Sequence, residues 1–283
     1  QDTYPYADVD MMHDWCEAVE LEYPDYNIVG EAWMNYTIGC AYWQRGSRLN
    51  FGKDTGLKSV MDFRLMGIAH DVFHADGGLQ GVFEHLCYDY VYPDINHVLR
   101  FLENHDTDRF LREMPKSSDD LYAYKQGITF LLTIPGIPQL YYGQELLMNG
   151  TKEKSDGYIR LDVPGGWAGD KVNQFEASGR TAVQNEAWTF MQTLLKWRKG
   201  NEVIAKGKMK HFMPNHGVYV YERSLNGKRV VVFMNGSSKA VELPLDRYAE
   251  SLQGTAQGKD VLTGRTVALG TSLSMKAKEI LVL

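Results

Sequence analysis

Residues 98–106 read Val98-Leu99-Arg100-Phe101-Leu102-Glu103-Asn104-His105-Asp106, a largely apolar run that ends in polar groups. One earlier stretch also places a carboxylate after a short apolar run, Asn27-Ile28-Val29-Gly30-Glu31-Ala32-Trp33, and a third carboxylate, Asp2, stands in Gln1-Asp2-Thr3 at the start of the sequence. Glu31 follows Asp2 at the interval of one strand, loop and helix unit, about 30 residues. The interval from Glu31 to Asp106 fits two such units with one lengthened loop. The chain is therefore expected to repeat a βα unit, with a carboxylate after several of its strands.

Each of these carboxylates has an ordinary alternative interpretation. Asp2 stands at a chain end, where disorder is common, and an Asp after a strand often caps a helix. Glu31 could be an N-terminal helix acid favoured by the helix dipole. His105 could be a buried histidine satisfied by hydrogen bonds. The order and spacing of the three motifs together favour a site over these alternatives.

The three motifs, together with the stretch from Gly136 to Glu145, resemble the α-amylase family of retaining α-glycoside hydrolases and transferases. The resemblance is strongest to the neopullulanase and cyclomaltodextrinase type of bacterial starch-utilisation systems. It implies that Asp2 is the nucleophile, that Glu31 is the acid/base, and that Asp106 grips sugar hydroxyls beside His105. Breaking an acetal needs a proton donor and a negative group, and two carboxylates with separated pKa values supply both.

The resemblance implies an α/β fold that comprises the C-terminal half of a (β/α)8 barrel, from the end of strand 4 through helix 8, and then an all-β sandwich. We place the barrel part at residues 1–200 and the sandwich at residues 201–283. The last barrel helix is expected to begin after the capping box of Thr181 and Gln184 and to end at Gly200, with Trp188, Met191 and Leu195 as its buried stripe. Beyond it the apolar period changes to two, and Asn226-Gly227 between two such runs predicts a hairpin.

Other elements follow from periodicity and punctuation. A helix capped by Asp8 is expected to run until Pro24, and strands are expected at 28–29 and 98–102. Residues 36–54 have the Gly-rich, aromatic composition of a long loop. Residues 60–63 are expected to form the sixth strand, and helices are expected at about 79–90 and from Asp119 onward.

Substrate-binding residues are expected around the carboxylates. Trp33 and Tyr142 offer rigid aromatic faces for sugar rings. The segment after the eighth strand resembles that of neopullulanase-like members, which implies that Arg160 and Asp162 contact substrate. Glu145 and Arg109, beside the motifs, could orient the residues of the site, but a surface ion pair is the expected role of either. Many family members carry Lys-His where this chain has Pro5-Tyr6, which places recognition of the leaving sugar in question.

Composition excludes several other classes of function. The formal net charge is −6 and the pI is near 5.8, so the chain has no basic field for nucleic acid. Its cysteines, Cys16, Cys40 and Cys87, match neither a disulfide framework nor a metal motif. No apolar stretch approaches the about 20 residues that span a bilayer. We expect no metal site and no cofactor for the chemistry; a structural calcium is not readable from the sequence. The resemblance implies a periplasmic or extracellular location.

The N-terminus is expected to be a break within the barrel, because the chain opens without Met and almost on the nucleophile. The resemblance implies three and a half earlier strands, with an Asn-His motif and an Arg two residues before Asp2. Residues 1–283 alone are therefore expected to be inactive and to need the N-terminal half as their partner. The expected activity is retaining hydrolysis of α-1,4 links in starch, maltodextrin or pullulan. A transglycosylase or sucrose-type enzyme and a non-catalytic glycan-binding scaffold are the alternatives, and the oligomeric state stays open.

Overall fold

The computed structural model describes residues 1–153 and 155–283. Its first part is built on four short parallel strands: β1 (Val29–Gly30), β2 (Ser59–Val60), β3 (Leu99–Phe101) and β4 (Ile137–Gln139). β1 pairs with β2 and β3 pairs with β4, and a parallel bridge from Met61 to Leu99 joins the two pairs. The strands therefore lie in chain order, and their carboxyl ends share one edge.

The backbone of Gln1 lies beside β1. The Gln1 amino group donates to the Val29 carbonyl at 2.8 Å, and the Glu31 amide donates to the Gln1 carbonyl at 2.8 Å. Asp2, the next residue, therefore lies close to the end of β1.

Helices precede the first parallel strand, occupy the segments between the strands and follow the last one. They are α1 (Val9–Glu22), α2 (Thr37–Tyr42), α3 (Phe63–His74), α4 (Gln80–Leu86), α5 (Tyr122–Thr133), α6 (Ala182–Lys199) and α7 (Glu202–Lys206). The Asp8 carboxylate caps α1 by accepting from the Met11 amide at 3.0 Å. Among the described residues, no helix combines the length and apolar composition that crossing a membrane requires.

The second part is antiparallel. Its strands are β5 (Lys208–Asn215), β6 (Val218–Leu225), β7 (Lys228–Asn235), β8 (Val241–Pro244), β9 (Gln257–Lys259), β10 (Thr266–Ala268), β11 (Ser272–Met275) and β12 (Ile280–Val282), with the short helix α8 (Ala249–Leu252). One sheet has the order β12-β7-β6-β5, and β8 pairs with β11 and β9 with β10. Apolar side chains from the sheet, including Val220 and Phe233, pack against Leu243 and Leu273 of the β8–β11 pair.

The opposite face of this sheet packs on the helices of the first part. Tyr219, Tyr221 and Val232 belong to the same buried cluster as Ile128 of α5 and Leu194 of α6. The two parts of the chain therefore share one continuous core.

Several expected elements are confirmed: the Asp8 cap, the strands near 28–29 and 98–102, the Thr181 capping box and the hairpin at Asn226-Gly227. Residues 36–54 are not entirely loop, because they contain α2. The strand expected at residues 60–63 corresponds to β2, which lies earlier and ends at Val60. Phe63 already begins α3, a helix that the sequence did not indicate. The helix expected at 79–90 ends at Leu86.

The buried stripe expected on α6 was partly wrong. The residues that α6 buries are Gln184, Ala187, Met191 and Leu194, whereas Leu195 is 37% exposed. Gln184 lies in this stripe because its side-chain amide donates to the Leu146 carbonyl at 2.9 Å.

Candidate active site

Three carboxylates meet at the carboxyl ends of the parallel strands. Glu31 directly follows β1, and Asp106 lies in the loop after β3. The Thr3 amide, next to Asp2, donates to the Glu31 carboxylate at 3.0 Å. The carboxylates of Asp2 and Asp106 lie close enough to Glu31 to raise its pKa. The residues expected to be catalytic are therefore neighbours in space.

The proton affinity of Glu31 differs from that of an ordinary glutamate. Burial raises its pKa, and the neighbouring carboxylates of Asp2 and Asp106 raise it further. The Thr3 amide acts in the opposite direction because it stabilises the carboxylate. A raised proton affinity at one carboxyl of the group is what acid catalysis of acetal cleavage needs.

Asp106 is held from several sides. Its amide donates to the Asn104 side chain at 2.9 Å, and its carboxylate lies 3.1 Å from Nε2 of His105. The other carboxylate oxygen accepts from Nη2 of Arg160 at 2.6 Å. The His105 side chain is 60% exposed, so it is accessible to a ligand and is not the buried histidine of the alternative interpretation.

The segment after β4 returns to the Asp106 loop. Nε of Arg160 donates to the His105 carbonyl at 2.7 Å, and Nζ of Lys152 donates to the Asp106 carbonyl at 2.9 Å. Arg160 is therefore placed beside the carboxylates as expected, with its guanidinium engaged by Asp106. Asp162 is exposed, and among the described residues no hydrogen bond or ion pair is recorded for its side chain.

Two partly exposed aromatic side chains lie in the segments that follow β1 and β4. Trp33 stacks on Phe63 with ring centroids 4.4 Å apart and planes 11° from parallel, yet Trp33 stays 46% exposed. Tyr142 is 42% exposed and donates its hydroxyl to the Leu161 carbonyl at 3.0 Å. Both side chains thus combine a fixed orientation with an open surface.

The expectation of a surface ion pair for Arg109 was wrong. Arg109 is fully buried, and its Nη1 lies 3.0 Å from the Glu103 carboxylate, which is equally buried. Burial raises the pKa of Glu103 to about 7, although the charge of Arg109 acts in the opposite direction. One sequence signal was available, since Glu103 stands directly after the apolar run and a buried charge needs a partner.

Pro5 and Tyr6, which replace a Lys-His pair of many family members, lie in a short 3-10 turn (Tyr4–Tyr6). Tyr6 is 87% exposed. These positions therefore offer a proline in place of the lysine and an exposed phenol ring in place of the histidine.

Within residues 1–153 and 155–283, no group of three or more His, Cys, Asp or Glu side chains is placed to hold an ion.

The fold and the site define a class: parallel βα units that carry carboxylates and aromatic rings in the segments after their strands. Residues 4–162 match the family model for the α-amylase catalytic domain, and residues 209–283 match that for the cyclomaltodextrinase C-terminal domain. The chain belongs to the α-amylase family. Glu31 and Asp106 lie inside the first match, and Asp2 lies just before it.

Curated relatives include an α-amylase and several cyclomaltodextrin glucanotransferases. The chain is 28% identical to the α-amylase of Niallia circulans over 78% of this chain and 39% of that protein. It is 26% identical to the cyclomaltodextrin glucanotransferase of Thermoanaerobacterium thermosulfurigenes over 82% of this chain and 31% of that protein. The chain thus spans about two fifths or less of the length of these relatives.

Solved structures show the same fold. An Anoxybacillus α-amylase superposes with a TM-score of 0.78 at 20% identity, covering 100% of this chain and 57% of that one. The α-amylase of Geobacillus thermoleovorans, solved with acarbose, has a TM-score of 0.74 at 20% identity over 98% of this chain and 57% of that one. The predicted fold, part of a (β/α)8 barrel followed by an all-β region, is confirmed.

Proposed function

We propose that this chain carries the cleavage site of a retaining α-glucan hydrolase that acts on α-1,4 links in starch, maltodextrin or pullulan-type substrates. The observation that carries the proposal is the convergence of Asp2, Glu31 and Asp106, with the pKa of Glu31 raised by burial and by Asp2. The matched cyclomaltodextrinase C-terminal domain supports the neopullulanase and cyclomaltodextrinase type. Solved neighbours were crystallised with acarbose and with maltose, which supports an oligosaccharide substrate.

The proposed reaction has two displacements. A carboxylate oxygen of Asp2 attacks the anomeric carbon while the bond to the departing sugar oxygen breaks, and Glu31 gives its proton to that oxygen. Glu31 then removes a proton from water, whose oxygen attacks the anomeric carbon and releases Asp2. Asp106 and His105 would bind ring hydroxyls, and these bonds must strengthen in the transition state to raise the rate. Trp33, Tyr142, Arg160 and Asp162 would complete the sugar site.

Transfer to a sugar acceptor is the second candidate function, because several curated relatives are cyclomaltodextrin glucanotransferases. The same side chains serve both reactions when a sugar hydroxyl replaces water. Chromatography of the products from maltotriose separates them, since transfer gives oligosaccharides longer than the substrate and hydrolysis does not. A non-catalytic scaffold would give neither product.

The proposal is tested by Glu31→Gln in the complete gene product that carries this chain. The complete product is used because residues 1–283 alone are predicted to be inactive. We expect turnover of maltooligosaccharides to fall by at least about 100-fold, the usual contribution of general acid catalysis. Formation of the glycosyl intermediate from an aryl α-maltoside with a good leaving group should persist, because that group needs little protonation. Glu22→Gln, on the exposed end of α1, is the control. Equal losses on both substrates would remove Glu31 from the acid role.

A further inference from the structure

Arg109 lies beneath the Asp106 loop and bonds to three separate segments. Its Nη1 contacts the Glu103 carboxylate at 3.0 Å and donates to the Tyr142 carbonyl at 2.7 Å. Its Nε donates to the Ile159 carbonyl at 3.1 Å. One fully buried guanidinium therefore joins the segments that follow β3 and β4 to the segment that carries Arg160.

The carbonyls on both sides of Arg160 are fixed by this arrangement. Arg109 holds the preceding carbonyl, that of Ile159, and the Tyr142 hydroxyl holds the following one, that of Leu161. Arg109 also holds the carbonyl of Tyr142 itself. Between the two fixed carbonyls, the Arg160 side chain reaches the Asp106 carboxylate. The backbone that presents Arg160 is thus tied to Arg109 directly and through Tyr142.

The environment of Arg109 suits a guanidinium and not an ammonium. Cζ of Arg109 lies 4.0 Å from the ring centroid of Tyr141 and 4.9 Å from that of Tyr142, so the flat group is packed between rings and carbonyls. A lysine keeps the charge but offers a single nitrogen, which cannot reach the carbonyls of Ile159 and Tyr142 in the fork geometry of arginine. Arg109→Lys should therefore loosen the Arg160 segment while leaving Glu103 a cationic partner.

We propose that Arg109 is a positioning residue: by fixing the backbone on both sides of Arg160, it sets the orientation of the Asp106 carboxylate in the site. The proposal rests on the proposed function for its catalytic consequence and on the contacts above for its structural part. The rival explanation is that Arg109 only stabilises the fold. The structural and the catalytic part of the proposal are therefore measured in separate experiments.

The structural part is tested by hydrogen–deuterium exchange on the complete gene product. We expect Arg109→Lys to speed amide exchange in peptides covering 156–161 by about tenfold or more relative to the parent. Arg112→Lys, the control, changes an exposed arginine of the same loop and should leave these peptides unchanged. Should Arg109→Lys fail to fold, Tyr142→Phe removes only the hydroxyl bond to Leu161 and should speed exchange there more modestly. Exchange at 156–161 that matches the parent in a folded variant would overturn the proposal.

The catalytic part is tested by a double-mutant cycle. Arg109→Lys should lower kcat by about 10- to 100-fold, the range expected for a misplaced catalytic group, with KM changed less than about threefold. In an Asp106→Asn background, measured with an activated aryl maltoside, the same substitution should cost less than about threefold, because residues that act through one another are not additive. Equal losses in both backgrounds would show a structural role alone. If the parent turns over no α-glucan, the proposed function fails while the exchange result still decides the structural part.

Discussion

Glu31 shows how neighbouring side chains set the chemistry of a single residue. Burial and the carboxylates of Asp2 and Asp106 raise its pKa. Burial disfavours the charged form of Glu31, and the neighbouring carboxylates repel its negative charge. An acid catalyst must be protonated when it acts. The rate should therefore fall as the pH rises through the raised pKa of Glu31, and this loss forms the basic limb of the pH profile of kcat/KM.

Asp2→Asn should lower the pKa of Glu31, since it removes the nearest negative charge. Carbon-detected NMR titration of the Glu31 carboxyl measures this without any need for turnover. Asp14→Asn, which removes one charge from the exposed face of α1, is the control and should leave the Glu31 titration in place. An unchanged Glu31 titration in Asp2→Asn would mean that the two carboxylates do not interact.

At the scale of elements, the hairpin of β6 and β7 is set by its turn. Asn226 and Gly227 have φ values of 51° and 77°, so both central residues are left-handed, as a two-residue turn between twisted strands requires. A side chain at Gly227 would meet no atom within 4 Å. The cost of adding one is therefore a backbone cost alone.

Gly227→Ala should reduce the free energy of unfolding by about 1 kcal/mol, the penalty of a left-handed non-glycine residue. Gly200→Ala is a matched control, because Gly200 also has open space around it but a φ of −104°. Urea unfolding followed by circular dichroism gives both values. Equal effects of the two substitutions would show that the turn conformation is not the cause.

Local sequence signals predicted where helices and turns begin and end better than they predicted which side chains pack against distant parts of the chain. The Thr181 capping box and the Asn226-Gly227 turn act within a few residues, so the sequence was sufficient for both. The α6 stripe depends on a distant contact: Trp188 and Leu195 have the same helical spacing as Ala187 and Leu194, and the Gln184 bond to Leu146 favours the latter pair. The burial of Arg109 depends likewise on Ile159 and Tyr142, which lie far along the chain.

The positions of the three carboxylates were more predictable than those of the side chains that hold them, such as Arg160. Glu31 and Asp106 each follow a strand of the parallel sheet, and the carboxyl ends of such strands meet at one edge. The convergence of these two therefore follows from the order of elements, and Asp2 joins them because the backbone of Gln1 pairs with the end of β1. The position of Arg160 against Asp106 needs the conformation of a long loop, which has no such repeating pattern.

At the scale of the whole molecule, we propose a division into residues 1–200 and 201–283 whose two parts fold as one unit. The sheet buries one face against α5 and α6. Nε2 of Gln126 donates to the carbonyls of Asn235 at 2.8 Å and Lys278 at 3.1 Å. These bonds cross the boundary between the two parts, where Gln126 and Asn235 are both buried.

Gln126→Leu should lower the stability of both parts together, by about 2 kcal/mol, because two buried carbonyls lose their donor. Calorimetry should show one transition in the parent and one, at lower temperature, in the variant. Gln192→Leu, an exposed glutamine of α6, serves as the control. Two separate transitions, with only one of them shifted, would contradict a shared core.

The most direct test of the account is to identify the residue that becomes glycosylated. The complete gene product is incubated with a slow fluorinated α-glucosyl substrate, digested and analysed by mass spectrometry, because a retaining enzyme accumulates a covalent intermediate under these conditions. We predict one glycosyl group on the peptide that contains Asp2, and its absence in Asp2→Asn. A glycosyl group on Asp106 or Glu31 in the parent would contradict the assignment, as would turnover of this substrate without any adduct.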